Sequence, residues 1–169
     1  ENLLGKRIAI QGAGSVGKSL AEYLASSGAH VLISDIDRSK LDDIDNHNIT
    51  CVDDAFSVEC DLFSPCAVGA IFTNDSIRNL KCKIIAGGAN NQLLDKSIAE
   101  NLFKKGIVYI PDTLINSGGV IGLTKDYLKR DDAETEQALR DIAKRVKDLM
   151  IESQESSISI YQALNNRSL

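Results

Sequence analysis

The stretch Arg7-Ile8-Ala9-Ile10-Gln11-Gly12-Ala13-Gly14-Ser15-Val16-Gly17 narrows the possible folds of this chain more than any other. An apolar run enters a G-x-G-x-x-G turn, and the turn opens onto apolar residues at helical spacing, Val16, Leu20 and Leu24. The pattern reads as a buried parallel strand, a glycine turn and an amphipathic helix. Gly12 permits the tight bend, and Gly14 lets the backbone approach a pyrophosphate. Gly17 lets the helix close on the strand, while the helix N-terminus offers unpaired N–H groups to the anion.

Position strengthens the motif. The apolar run His30-Val31-Leu32-Ile33-Ser34 ends in Asp35, 18 residues after Gly17. An acid at about that offset accepts hydrogen bonds from an adenosine ribose; the plainer alternative is a solvated strand end. The same residues also fit G-x-x-x-x-G-K-S from Gly12 to Ser19, a P-loop in which Lys18 would reach terminal phosphates. In a dinucleotide turn Lys18 is only a solvated first-turn residue. The inner Gly14 and the acid at Asp35 favour the dinucleotide. That acid would repel a 2′-phosphate, so NAD is expected over NADP, with Arg38 near enough to keep dual use open.

The chain has 169 residues, enough to bury a core without staples. A net charge of −5 argues against nucleic-acid or anionic-membrane partners. No apolar run approaches the ~18 residues a bilayer requires. No leader peptide is visible, and Glu1 in place of Met suggests an excised or processed N-terminus. Cys51, Cys60, Cys66 and Cys82 form no C-x-x-C pair, so reduced thiols in a cytoplasmic protein, without a metal, are expected.

Further strands are expected at Ile49–Val52, at Cys60–Ser64 (broken by Pro65), at Lys83–Ala86 and at Gly106–Ile110. Brief helices are expected after Asp35 and across Asn74–Leu80. Leu94, Ile98 and Leu102 stripe a further helix, and another runs from Val120 to Lys129. The whole predicts an α/β fold, a Rossmann-type doubly wound, mostly parallel sheet of about six strands over residues 1–130. Residues 131–169 are then C-terminal helices, packing on the sheet or on a partner. The first, striped by Leu139, Ile142, Val146 and Leu149, breaks near Gln154–Ser157, and Ile158–Asn166 forms the last.

Four segments resemble, in order, the coenzyme domain of the Glu/Leu/Phe/Val dehydrogenases. They are Gly5 to Gly17, Glu59 to Ala67, Ile84 to Leu93 and Pro111 to Ile121, and the middle two look closest to the leucine and phenylalanine branch. The resemblance implies an enzyme that oxidatively deaminates an L-amino acid to a 2-oxo acid and ammonia, with hydride passing to NAD. It implies a pyrophosphate held by Gly12, Gly14, Ser15, Val16 and Gly17, and an adenosine ribose by Asp35 and Ile36. Cys66 and Ala67 would line the cleft, and Ala89, Asn90 and Asn91 would adjoin the nicotinamide ribose. Asn116 would face the nicotinamide and substrate, or else cap the helix it precedes. In the family the general-base lysine, the carboxylate-binding lysine and the catalytic aspartate lie in a preceding substrate domain. No Gly-Gly-x-Lys segment occurs in this chain. Cofactor binding without turnover is therefore expected of it alone, as a monomer or weak dimer, with a homo-oligomeric parent. A non-enzymatic NAD-binding regulatory module is the alternative.

Overall fold

The computed structural model describes residues 3–67 and 69–167. Strand β1 (Arg7–Gln11) is its centre, with Ile8, Ala9 and Ile10 all buried, as befits a parallel strand covered on both faces. It pairs in parallel with β2 (His30–Ser34) on one side and β4 (Leu62–Pro65) on the other. With β3 (Ile49–Cys51), β5 (Ile84–Ile85) and β6 (Val108–Tyr109) the sheet order is β3-β2-β1-β4-β5-β6, every pairing parallel. The order reverses between β1 and β4, so a crevice opens there at the strands' carboxyl ends.

Helix α1 (Ser15–Ser26) lies over β1 and β2, but its buried stripe is Gly17, Ala21 and Ala25 rather than Val16, Leu20 and Leu24. Val16 is 59% exposed, and the two leucines only flank the core. Gly17 sets this rotation: a Cβ there would stand 1.9 Å from the Gly12 carbonyl oxygen, so the helix presents its glycine to the turn. The opposite face buries Ala9, Phe63, Ile85 and Tyr109 with Phe72 and with Ile98, Ala99 and Leu102 of α2 (Ser97–Lys104). Phe56 packs its ring 4.7 Å from that of Phe63. Leu94 lies outside α2 and is exposed.

Pro65 ends β4 as a full register partner of Gln11 instead of breaking the strand earlier. The expected brief helices are single 3₁₀ turns at Arg38–Leu41 and Ser76–Arg78. Beyond β6 come α3 (Asp112–Ile115) and α4 (Gly118–Leu123). The expected helix from Val120 to Lys129 thus starts earlier and stops at Leu123, the remainder being turns. Its three glycines are all accommodated within the helix, and the glycine-free turns after it end at Lys129, left-handed with φ of 53°.

Helix α5 (Asp132–Ser156) opens on a full capping box: Asp131 accepts from the Glu134 amide, and Glu134 accepts from the Asp131 amide. It continues through the expected break to Ser157, a left-handed cap with φ of 53°. Helix α6 (Ile160–Asn166) starts two residues later than expected, because Ser159 caps it by accepting from the Gln162 amide at 3.0 Å. Leu149, Ile160 and Ala163 pack with Ile110 and Leu114 against Ile84, Ala86 and Val108, so the C-terminal helices cover the β5–β6 side of the sheet. Leu139, nearer the start of α5, is 43% exposed. Among the described residues no helix is long and apolar enough to cross a membrane.

Candidate dinucleotide-binding cleft

The glycine turn is tied to the end of β2 at two points. The Gly12 amide donates to the Ser34 carbonyl at 2.7 Å, and the Ala13 amide to Asp35 Oδ2 at 2.8 Å. Gly12 has φ of 107°, the left-handed region, and a Cβ on it would meet Ala67 at 2.8 Å. Gly14 caps α1 in extended conformation without a side-chain hydrogen bond, so the first amides of α1 have no intrahelical acceptor. A Cβ on Gly14 would meet nothing within 4 Å. Open space over free amides is what an approaching diphosphate requires.

Gly12, Gly14, Asp35, Ile36, Cys66 and Ala67 line one cleft of about 360 Å³. The expected residues of the second and fourth strand ends therefore converge with Gly12 and Gly14 of the turn, whereas Ser15, Val16 and Gly17 are not among the residues lining it. Asp53, Asp54 and Phe56 line it too. They follow β3, and the rule that ligands gather at carboxyl strand ends would have pointed to them.

Asp35 is engaged on both oxygens, accepting also from the Asp37 amide at 2.9 Å, with Lys40 Nζ at 3.3 Å. Burial pushes its carboxyl up, but the Asp37 and Ala13 amides and Lys40 outweigh this and hold it below its ordinary value of 3.8. The sign follows. A depressed folded-state carboxyl stabilises the fold above the unfolded value and ceases to do so as pH falls through the folded one. Thermal unfolding is thus expected to be insensitive to Asp35 ionisation at neutral pH. Its contribution is lost below the ordinary 3.8, and Asp35→Asn should remove that part of the acid dependence.

The second half of the candidate site is the loop after β5. Gly87 packs on Pro65, and the Ala89 amide donates to the Pro65 carbonyl at 2.9 Å. A Cβ on Gly88 would stand 2.8 Å from Val16 Cγ1 and 3.9 Å from Cys66 Sγ, so this loop abuts the glycine turn. The amide of Asn116 is aimed back at it, Nδ2 lying 3.1 Å from Gly88 O, 2.8 Å from Ala89 O and 3.1 Å from Asn90 Oδ1. Asn116 therefore does not cap the helix it precedes; Ser117 holds that position, and Asn116 ends α3. Gln92, fully buried, supports the loop from beneath by donating to Gly87 O at 2.9 Å and Ala89 O at 2.8 Å. The sequence shows its proximity to the loop but not this role.

Lys18 lies apart from the cleft. Its Nζ pairs with Asp43 at 2.5 Å, on the far side of α1 with Ser19 and Glu22. With its cation there, and the strand order of a dinucleotide fold, the P-loop reading loses its support.

Residues 33–167 match the family described as Glutamate/Leucine/Phenylalanine/Valine dehydrogenase. A leucine dehydrogenase of Thermoactinomyces intermedius is 42% identical over 131 residues, covering 76% of this chain and 36% of that protein. A phenylalanine dehydrogenase of Bacillus thermotolerans is 43% identical, covering 72% and 34% respectively. The crystal structure of L-tryptophan dehydrogenase from Nostoc punctiforme aligns with a TM-score of 0.92 at 31% identity, over 98% of this chain and 52% of that one. The chain spans about a third of the length of these two curated relatives. On these matches, together with the parallel sheet and the glycine turn beneath them, the chain belongs to the Glu/Leu/Phe/Val dehydrogenase family, in its leucine and phenylalanine branch.

Proposed function

We propose that this chain is the coenzyme-binding part of an NAD-dependent amino-acid dehydrogenase. The parent enzyme would oxidatively deaminate an L-amino acid to a 2-oxo acid and ammonia, and NAD would serve as the hydride acceptor. The observation that carries the reading is convergence. A glycine turn with uncapped helix amides, an ionised acid at the second strand end and an amide-clamped loop after β5 meet along one sheet edge.

The residues fit the group. The α1 amides at Ser15, Val16 and Gly17 would grip the diphosphate, and the open face of Gly14 would admit it. Asp35 would accept from the adenosine ribose in place of its long contacts with Lys40, at 3.3 Å and 3.5 Å, with Ile36 beside it. Cys66 and Ala67 would line the middle, while Ala89, Asn90 and Asn91, in the neighbouring loop that Asn116 clamps, would adjoin the nicotinamide ribose. Asn116 spends its NH₂ on the loop, so its Oδ1 would be the group left to face the nicotinamide and the substrate's amino end. Asp35, Asp53 and Asp54 share the cleft, a setting that disfavours a 2′-phosphate; Arg38 is held by Asp53. Lys40, the one lysine lining the cleft among the described residues, pairs with Asp35 and is no candidate for the proton-accepting base.

Calorimetric titration is expected to show NAD bound without magnesium and more tightly than NADP, while L-leucine with NAD gives no NADH. Lys18→Ala should leave NAD affinity within about twofold. Magnesium-dependent ATP binding lost in that variant would restore the P-loop reading, and turnover by this chain alone would reject the missing-base argument.

A further inference from the structure

We propose that Asp112 is a positioning residue that sets the nicotinamide-side loop by fixing the backbone of Asn91, a proposal that rests on the coenzyme reading above. Asn91 has φ of 52°, the left-handed region. Asparagine tolerates it better than most residues, still at some cost, which bonds to its backbone groups offset. Both of its backbone groups are held. Its N–H donates to Asp112 Oδ2 at 2.7 Å, and its carbonyl accepts from the Ala70 amide at 2.5 Å. Ala70 is itself left-handed, with φ of 56°. Next to it, a Cβ on Gly69 would stand 2.3 Å from the Asn90 carbonyl oxygen. The loops after β4 and β5 therefore touch backbone to backbone, and the coenzyme would have to pass beside that contact.

Asp112 reaches across from a different strand. It is the first residue of α3, delivered by β6, and its Oδ1 accepts from the Tyr109 hydroxyl at 3.3 Å. Tyr109 is 4% exposed and packs edge-on against Phe72, so the carboxylate is braced from the core. An acid opening a helix is ordinarily explained by the helix N-terminus. Here each oxygen is directed at a partner outside α3, which that explanation does not require. Asn116 and Gln92 hold the carbonyls of residues 87–89, whereas within this loop Asp112 holds the backbone N–H of residue 91. The division of labour predicts a selective loss. Without Asp112, the nicotinamide half of the coenzyme loses its seat while the adenosine half keeps the turn and Asp35.

The test compares NAD with ADP, which carries the adenosine diphosphate but no nicotinamide. Calorimetry of Asp112→Ala should show NAD affinity reduced about tenfold and ADP affinity within about twofold of wild type. Asp112→Asn should recover most of the loss, since its Oδ1 can still accept the Asn91 N–H. An unchanged NAD-to-ADP ratio in Asp112→Ala overturns the proposal. Should that variant not fold, amide exchange in the wild-type chain decides. A protected Asn91 amide supports the latch, and one exchanging at the open-chain rate overturns it. A wild-type chain that binds ADP and NAD not at all would instead defeat the coenzyme reading.

Discussion

Gly14→Val is expected to leave the chain folded and to reduce NAD affinity by roughly a hundredfold or more, about 2.7 kcal/mol. The expectation comes from two properties that rarely coincide at a glycine. Its backbone is ordinary, with φ of −75° and ψ of −173°, so a branched residue fits without strain. Its Cβ would meet no protein atom within 4 Å. Restricting the unfolded chain stabilises by about 0.4–1 kcal/mol, and losing glycine at a helix N-cap costs a similar amount. Net stability should therefore move by less than about 1 kcal/mol. The isopropyl group would then occupy the space where the diphosphate meets the amides. Matched thermal melts with a large drop in calorimetric affinity would bear this out; a variant that binds NAD as wild type does would remove Gly14 from the site.

Gly17→Ala should do the reverse, damaging the fold first and binding as a consequence. Alanine ordinarily favours a helix interior over glycine by about 1 kcal/mol. Here its methyl would stand 1.9 Å from the Gly12 carbonyl oxygen and 3.0 Å from the Gly12 carbonyl carbon. A backbone carbonyl in a tied turn cannot rotate away as a side chain can. Overpacking costs about 1–3 kcal/mol, and a 1.9 Å approach to a backbone oxygen belongs at the top of that range, leaving a net loss of about 2 kcal/mol after propensity returns about 1. A net loss of about 2 kcal/mol lowers the melting temperature by roughly 4–8 °C in a domain of this size. An unchanged melting temperature would mean that α1 can move off the sheet, contrary to the packing of Ala21 and Ala25.

These two glycines also mark what the sequence makes legible. The spacing of Gly12, Gly14 and Gly17 identifies a strand-turn-helix unit, and the apolar runs after it lead to the parallel sheet, because backbone demands at a tight turn leave few alternatives. The rotation of α1 is less legible. Leu20 and Leu24 outrank Ala21 and Ala25 in hydrophobicity, yet the close approach at Gly17 turns the small residues inward and leaves Val16 beside Gly88. Cleft residues at strand ends, such as Cys66 and Ala67, were found through the family resemblance. Asp53 and Asp54 escaped because β3 is short and their role follows from its carboxyl end alone. Asp112 and Gln92 were invisible for a different reason. They act on backbone groups distant in the chain or folded beneath the loop, and neither periodicity nor local composition records such a bond. The end of α4 was illegible in another way: the glycines Gly118, Gly119 and Gly122 all lie inside the helix, whereas residues 124–129, which carry no glycine, form turns ending at Lys129 with φ of 53°.

The central claim is a diphosphate seated on the first amides of α1, with the adenosine ribose on Asp35. A crystal of this chain grown with saturating NAD tests it most directly. The predicted map shows the diphosphate over Gly14 and within hydrogen-bond reach of the Ser15–Gly17 amides, ribose hydroxyls at Asp35, and the nicotinamide end between Cys66 and the Asn116-clamped loop. Adenosine bound at the Lys18–Asp43 side of α1, or a glycine turn left empty while NAD occupies another surface, would contradict it.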